Sequence, residues 1–537
     1  MVDLIILGAK VLTQDPAHPR AQAIAVSGER IVAVGTDEAL RPAIGRATRV
    51  IEARGALVTP GFNDAHLHFL DGGFVLTILD LREMSDPAAV AARVAEAARA
   101  TPDGEWILGS GWNQERFPGQ AWPTRECLDA VAPRHPVALY RVDGHTLWVN
   151  ALALEKGGID RDTPDPSGGR IVRDPRSGEP TGLLQESAVL GVPVPRLEEG
   201  EGARLPEAWR EQALERALAQ ARIFGVTSVQ HLVGQAELFE RFRRQGRLTC
   251  RVTFSMPLPE DEAAYRELEA LRQRFRRDDP WLRFGFLKGF ADGTLGSSTA
   301  CLFDPWADDP TSSGLAQMPY PELARRILAA DRRGFQVGIH AIGDRAVRWV
   351  LDACEEAQGQ NGPAPRRHRV EHAQLVSDED FPRFARLGII ASMQPSHCRS
   401  DQATALKKLG PARCRNAYAW RKLRGAGAKL AFGTDWPVEP LNPLEGIQAA
   451  VTRRGPGERS GDGFFPAERL SREEALSLYT QGSAYAEWMD EHKGSVVPGM
   501  LADLVIWERD LLQVPADEID RVRANCTLVG GRIVHEI

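Results

Sequence analysis

The sequence predicts an α/β protein: a (β/α)8 TIM barrel, a composite β-sandwich domain drawn from both termini, and an inserted subdomain after the first barrel strand. Three observations lead there. Eight short apolar, β-branched runs alternate with helix-like stretches through the middle of the chain, the pattern of a parallel barrel. Both ends of the chain read as short strands parted by Gly, Pro and Asp. Between the first and second of the eight runs lie about 160 residues, far beyond an ordinary connection between neighbouring strands.

In chain order, residues 1–59 carry the apolar runs Leu4-Ile5-Ile6-Leu7, Ala23-Ile24-Ala25-Val26 and Arg30-Ile31-Val32-Ala33-Val34, assigned to the N-terminal part of the sandwich. Residues 60–70 hold the end of barrel strand one, within a run expected at 56–62. Residues 71–204 form the insert, with a Pro/Gly-rich centre at 157–182. Residues 205–490 supply the rest of the barrel, with strands expected at 226–231, 249–255, 282–288, 335–340, 368–373, 388–394 and 429–434. Helices are expected at 206–222, at 344–357 with Asp344 as its N-cap, and after the Ser471/Glu474 capping box. Residues 491–537 return to strands, where Cys526–Val529 and Arg532–Val534 flank Gly530-Gly531, a two-residue hairpin signal. The arginine-rich runs 241–244 and 274–277 read as solvated helix faces.

Composition limits the function classes. The 537 residues are 43% hydrophobic and 26% charged, which suits a large globular core and not a disordered scaffold or fibre. A net charge of -7, spread along the chain, gives no basic face for nucleic acid. No run is long enough to span a membrane, and Met1–Leu7 lacks the basic stretch and cleavage site of a secretory signal. The seven cysteines include no C-x-x-C pair, so free thiols in a reducing cytoplasm are expected. Lysine is scarce: eight among 66 basic residues, so one at a chemically telling position carries weight.

In a barrel of this kind, chemistry sits at the C-terminal ends of the strands. Those ends read Gly61-Phe62-Asn63-Asp64-Ala65-His66-Leu67-His68, then Lys288-Gly289-Phe290-Ala291-Asp292-Gly293, then His340-Ala341-Ile342-Gly343-Asp344, then Val370-Glu371-His372-Ala373-Gln374, and finally Gly433-Thr434-Asp435-Trp436-Pro437. Each histidine alone would pass for a core residue. Four histidines, a lysine and an aspartate at one barrel mouth form a set that suits divalent metal.

This order of motifs resembles the amidohydrolase superfamily, and in detail its YtcJ-like branch, which includes N-substituted formamide deformylases. The likeness runs the whole chain, including the split β-domain and the insert motif Val142-Asp143-Gly144-His145-Thr146. One departure is Ser298, where the branch commonly has arginine. The resemblance implies a cytoplasmic hydrolase of non-peptide C–N bonds in amides or N-substituted formamides, acting through a metal-activated hydroxide. It implies His66, His68 and Asp435 on one ion, His340 and His372 on a second, and a CO2-derived carbamate on Lys288 as the bridge. Two zinc ions per chain are expected, with iron or manganese fitting the same ligands. Asp435 is also the expected catalytic proton acceptor.

Substrate contacts are expected from Trp112 and His145 in the insert and from Asp292, although each could equally be structural. His231 and His397 lie near the ends of strands two and seven and could line the pocket. His18, His135, His492 and His535 lie away from the strand ends. The expected partner is a small amide-type molecule, with neither nucleic acid nor membrane, and a homodimer fits as the assembly. Deamination or cyclic amide opening on the same metals is an alternative. A cysteine-bridged site is disfavoured because Cys250 sits at the start of strand three. A non-catalytic binding protein on a degenerate barrel is the alternative from another class.

Overall fold

In the computed structural model, which describes residues 2–142, 146–166, 169–195, 205–458 and 460–537, the apolar runs become eight strands of one all-parallel sheet. They are β1 (Phe62–Leu67), β2 (Val226–His231), β3 (Arg251–Pro257), β4 (Leu282–Phe290), β5 (Val337–Ala341), β6 (Arg369–His372), β7 (Ile390–Met393) and β8 (Lys429–Phe432). Each pairs with the next in sequence, and β1 lies beside β2. The first and last strands meet just past their ends, where the Asp435 amide donates to the His66 carbonyl and the His68 amide to that of Trp436. Residues that pack this sheet are continuously buried, as a sheet covered on both faces requires.

The first strand differs from the expected run 56–62. The apolar stretch is cut in two: Leu57–Pro60 belongs to the sandwich and β1 begins at Phe62. Gly61 is the reason. A Cβ there would sit 2.2 Å from the Thr227 side chain, so only glycine lets the chain pass that closely from one domain into the other.

The sandwich consists of a four-stranded and a six-stranded sheet. The larger interleaves Lys10–Leu12 and Leu57–Pro60 with Leu504–Trp507, Ala524–Val529 and Arg532–Glu536, so both chain ends share it. Its core joins Ile6, Ile24 and Val26 from one sheet to Val58, Leu504 and Leu528 from the other. Gly530 and Gly531 take φ of 55° and 71°, the left-handed pair that a tight hairpin needs. The sandwich grips the barrel through Arg251 of β3, which donates to both Asp503 oxygens at 2.7 and 2.9 Å. The Ser471/Glu474 capping box opens helix Arg472–Ser477. At helix Asp344–Asn361 the N-cap is Gly343; Asp344 is the first helical residue and accepts from the Phe303 and Arg345 amides.

Residues Leu70–Ala217 form a second compact unit with its own six-stranded sheet. Its core centres on Trp112, at the end of strand Ile107–Trp112. The indole ring is fully buried, stacks on Phe117 and meets Trp148 edge-on, and its N–H donates to the Leu139 carbonyl at 2.8 Å. Trp112→Ala is expected to destabilise this unit by about 3–5 kcal/mol, read as a lowered thermal unfolding midpoint.

Candidate metal centre at the barrel mouth

β1 carries the first of these side chains. Its pairing with β2 is irregular between Val229 and His231, a bulge that re-aims the strand end. His66 and His68 consequently point to one place: their Nε2 atoms lie 3.5 and 3.7 Å from Oδ1 of Asp435. Asp435 follows β8 with φ of 60°, and His372 ends β6 with φ of 74°. Such left-handed backbone is costly for residues with side chains and persists where a site needs it. The His66 and His372 rings are 4.8 Å apart, and His372 and His340 4.5 Å. Lys288, near the end of β4, is buried with its Nζ 4.8 Å from the Phe290 ring centroid.

Hydrogen bonds decide which nitrogen of each ring is available. Glu371 Oε2 lies 2.5 Å from His66 Nδ1. A carboxylate only accepts, so Nδ1 carries the proton and Nε2 keeps its lone pair toward Asp435. His372 is held likewise, with Nδ1 2.8 Å from Gln394 Oε1. His340 is turned the other way. Its Nε2 donates to the Gly293 carbonyl at 2.9 Å, which leaves the lone pair on Nδ1.

The electrostatics suit cation binding. Burial, aided by the Lys288 charge, holds His66 below the usual histidine value, and the same causes bring His340 to about 3. Burial and the neighbouring imidazoles push His372 well below it. All three rings are therefore neutral ligands at pH 7. Burial lowers Lys288 to about 8. Burial alone would raise Asp435, but His66 and His397 outweigh it and hold the carboxylate well below its usual range. Oδ1 of Asp435 is buried without a hydrogen-bond partner among the described residues. Donor atoms of His66, His372 and Asp435 all lie within 4.8 Å of one another. Two imidazoles and an unpaired carboxylate oxygen, backed by Glu371 and Gln394, fit a divalent ion.

The remaining expected residues fall out as follows. Asp292 clamps the backbone beyond two strand ends. One oxygen accepts from the Ile342 amide at 3.0 Å, the other from Gly343 and Cys301 at 2.8 Å. His340 Nε2 lies 3.7 Å from Oδ1, and burial raises the carboxyl to about 7. Trp112 lies with its ring enclosed in the insert core. His145 lies outside the described residues. His231 pins the chain after β1 by accepting from the Phe69 amide at 3.1 Å. Ser298 takes a hydrogen bond from Lys408 on helix Pro395–Leu409. His397 does join the site: its Nε2 is 3.4 Å from Oδ2 of Asp435.

Glu371 and Gln394 were not singled out from sequence, nor was Asp64. Asp64 accepts from the Thr434 amide at 2.9 Å and hydroxyl at 2.5 Å, which sets the segment that carries Asp435. Glu371 sits inside the motif Val370-Glu371-His372, the one signal that could have pointed to it.

The profile of the amidohydrolase family matches residues 49–535. The protein LONG AFTER FAR-RED 3 of Arabidopsis thaliana is 35% identical, over 99% of this chain and 91% of its own. The putative amidohydrolase YtcJ of Bacillus subtilis is 33% identical over 98% of both chains. The N-substituted formamide deformylase of Arthrobacter pascens is 29% identical over 100% of this chain and 99% of its own. Among solved structures, an uncharacterized metal-dependent hydrolase from Pyrococcus furiosus superposes with a TM-score of 0.78 at 30% identity, covering 95% of this chain and all of that one. With the barrel, the buried donors and a full-length match in hand, the chain belongs to the amidohydrolase family, and its kinship is with metal-dependent hydrolases.

Proposed function

We propose that the protein hydrolyses a non-peptide C–N bond in an amide or N-substituted formamide. The observation that carries this reading is the ionised Asp435 oxygen, without a hydrogen bond among the described residues, converging with the His66 and His372 imidazoles inside the barrel mouth. A divalent ion held by these residues would supply water acidified to near neutral pH and a Lewis acid for the scissile carbonyl. His66, His68 and Asp435 would hold one ion, and His340 and His372 a second. Asp435 accepts the proton of the attacking water and passes it to the leaving nitrogen. His397, 3.4 Å from the other Asp435 oxygen, keeps that carboxylate in place. The name of the Arthrobacter pascens relative supports a formamide-type substrate.

Lys288 would bridge the ions as a carbamate. Its neutral amine would add to the carbon of CO2: a C–N bond forms, one C–O π bond opens to place its electron pair on oxygen, and one N–H proton is released to solvent. Burial favours that neutral amine. Zinc is the first choice of metal, with iron or manganese accepted by the same donors. A single ion is the second reading, favoured because the converged donors are His66, His372 and Asp435 while His340 donates to Gly293.

Metal analysis of the purified protein separates the two. Two equivalents per chain, falling sharply in Lys288→Ala, is the expected result. One equivalent, unchanged in that variant, sinks the bridge. Turnover of N-formyl and N-acyl amines that stops with chelator is expected. Turnover of aminated heterocycles or cyclic amides alone would move the assignment to deamination or ring opening. No turnover on any C–N substrate by metal-loaded protein would favour a binding role.

A further inference from the structure

The lumen of a barrel is ordinarily filled with layers of apolar side chains. Here a buried polar column crosses it. Arg369, at the start of β6, has no exposed surface, and its guanidinium reaches four strands. One nitrogen donates to Gln230 Oε1 of β2 at 2.5 Å. A second donates to the Ala65 carbonyl of β1 at 2.6 Å and to the Ser392 hydroxyl of β7 at 2.9 Å. That nitrogen also lies 3.2 Å from Glu371 Oε2, and Nε lies 2.7 Å from Glu371 Oε1. The cation rests on the Phe286 ring, 4.4 Å from its centroid.

Two of these contacts converge on His66. The Ala65 carbonyl belongs to the peptide that leads into His66, and Glu371 holds the Nδ1 of its ring. One planar guanidinium thus fixes both the backbone and the tautomer of that residue, which lysine cannot do with a single point of charge. Space for the pair is kept by Gly338 of β5. A Cβ there would lie 2.7 Å from Glu371 Oε1 and 2.6 Å from the Phe286 ring.

We propose that Arg369 is a positioning residue for the hydrolytic reaction, acting through Glu371 to present Nε2 of His66 to the metal. This rests on the metal-dependent reading above. A purely structural buried ion pair would stabilise the barrel without changing how the site holds metal. The pair of ideas separates on that point.

The test measures zinc affinity by competition with a chromophoric chelator, the visible spectrum after cobalt(II) substitution, and the thermal midpoint. Wild type is expected to bind zinc, whereas Arg369→Met and Glu371→Gln bind it about 10–100-fold more weakly, as loss of a group supporting a metal ligand generally does. Arg369→Met is expected to shift the cobalt spectrum, and Arg369→Lys to recover part of the affinity. Glu487→Gln, at the barrel floor, is the structural comparator, expected to lower the midpoint with zinc affinity unchanged. Wild-type affinity and spectrum in folded Arg369→Met overturn the proposal. Should Arg369→Met not fold, wild-type affinity in Glu371→Gln overturns it equally, since Arg369 acts through that carboxylate. Failure of wild type itself to bind zinc, iron or manganese overturns the parent reading instead.

Discussion

Asp435→Asn is expected to lower kcat by about 10³-fold or more while leaving the fold intact. Asparagine keeps the size and shape of the side chain but removes two properties at once. The anion that faces His66 and His68 is lost, so metal binding weakens. The basic oxygen is lost too, and positioned proton transfer alone is worth roughly 10²–10⁴ in rate. The wild-type carboxylate stays ionised across the neutral range because the imidazoles around it outweigh its burial. The measurement is steady-state kinetics on a formamide or amide substrate, with metal content determined on the same samples. A variant within tenfold of wild type at full metal occupancy would remove Asp435 from the chemistry and leave it as a spectator ligand.

The residues that gather at the barrel mouth were legible in the sequence because each sits at a strand end, where a short motif and an apolar run locate it together. Glu371 was not. In a regular strand its side chain and that of His372 would face opposite ways. The left-handed φ of 74° at His372 breaks that alternation, so both side chains reach His66, and no residue pattern announces such a break. Arg369 was hidden for a related reason: an arginine in a barrel strand reads as a rim residue until its partners on β1, β2 and β7 are seen. For Trp112 the sequence left a core role and a substrate role equally open, and the structure places it in the insert core. Gly109 and Gly111 before it let the strand pack closely. A Cβ at Gly109 would meet Leu139 at 2.8 Å, and one at Gly111 would meet Arg82 at 2.5 Å. The split of 56–62 between two domains turned on a single glycine contact, which depends on Thr227 far away in sequence.

A large loss of stability is expected from Glu487→Gln. Glu487 lies at the barrel floor, beneath the N-terminal ends of the strands, and is almost fully buried. Arg283 of β4 donates to it at 2.5 Å, Asn63 of β1 at 2.7 Å, and Thr253 of β3 also hydrogen-bonds to it. Lys493, from the segment that leads into the C-terminal sandwich strands, contributes Nζ at 2.6 Å. One carboxylate thus ties three barrel strands to the chain that clasps them. Removing one member of a buried ionic cluster leaves its partners charged in a medium that solvates them poorly, at a cost of about 3–5 kcal/mol. The pH dependence gives a sharper check. Burial would raise the Glu487 pKa, but Arg283 and Lys493 overcome it and hold it at about 2, against 4.5 for a free carboxyl. Its stabilising effect is therefore complete above about pH 4.5 and lost as pH falls toward 2. Burial brings Lys493 down to about 8 from 10.5 despite the attraction of Glu487, so above pH 8 the folded protein discards that charge. The gap in thermal midpoint between wild type and variant should be widest between about pH 4.5 and 8 and narrow on both sides. A gap that stays constant from pH 3 to 10 would mean that Glu487 acts by shape and hydrogen bonding, not by charge.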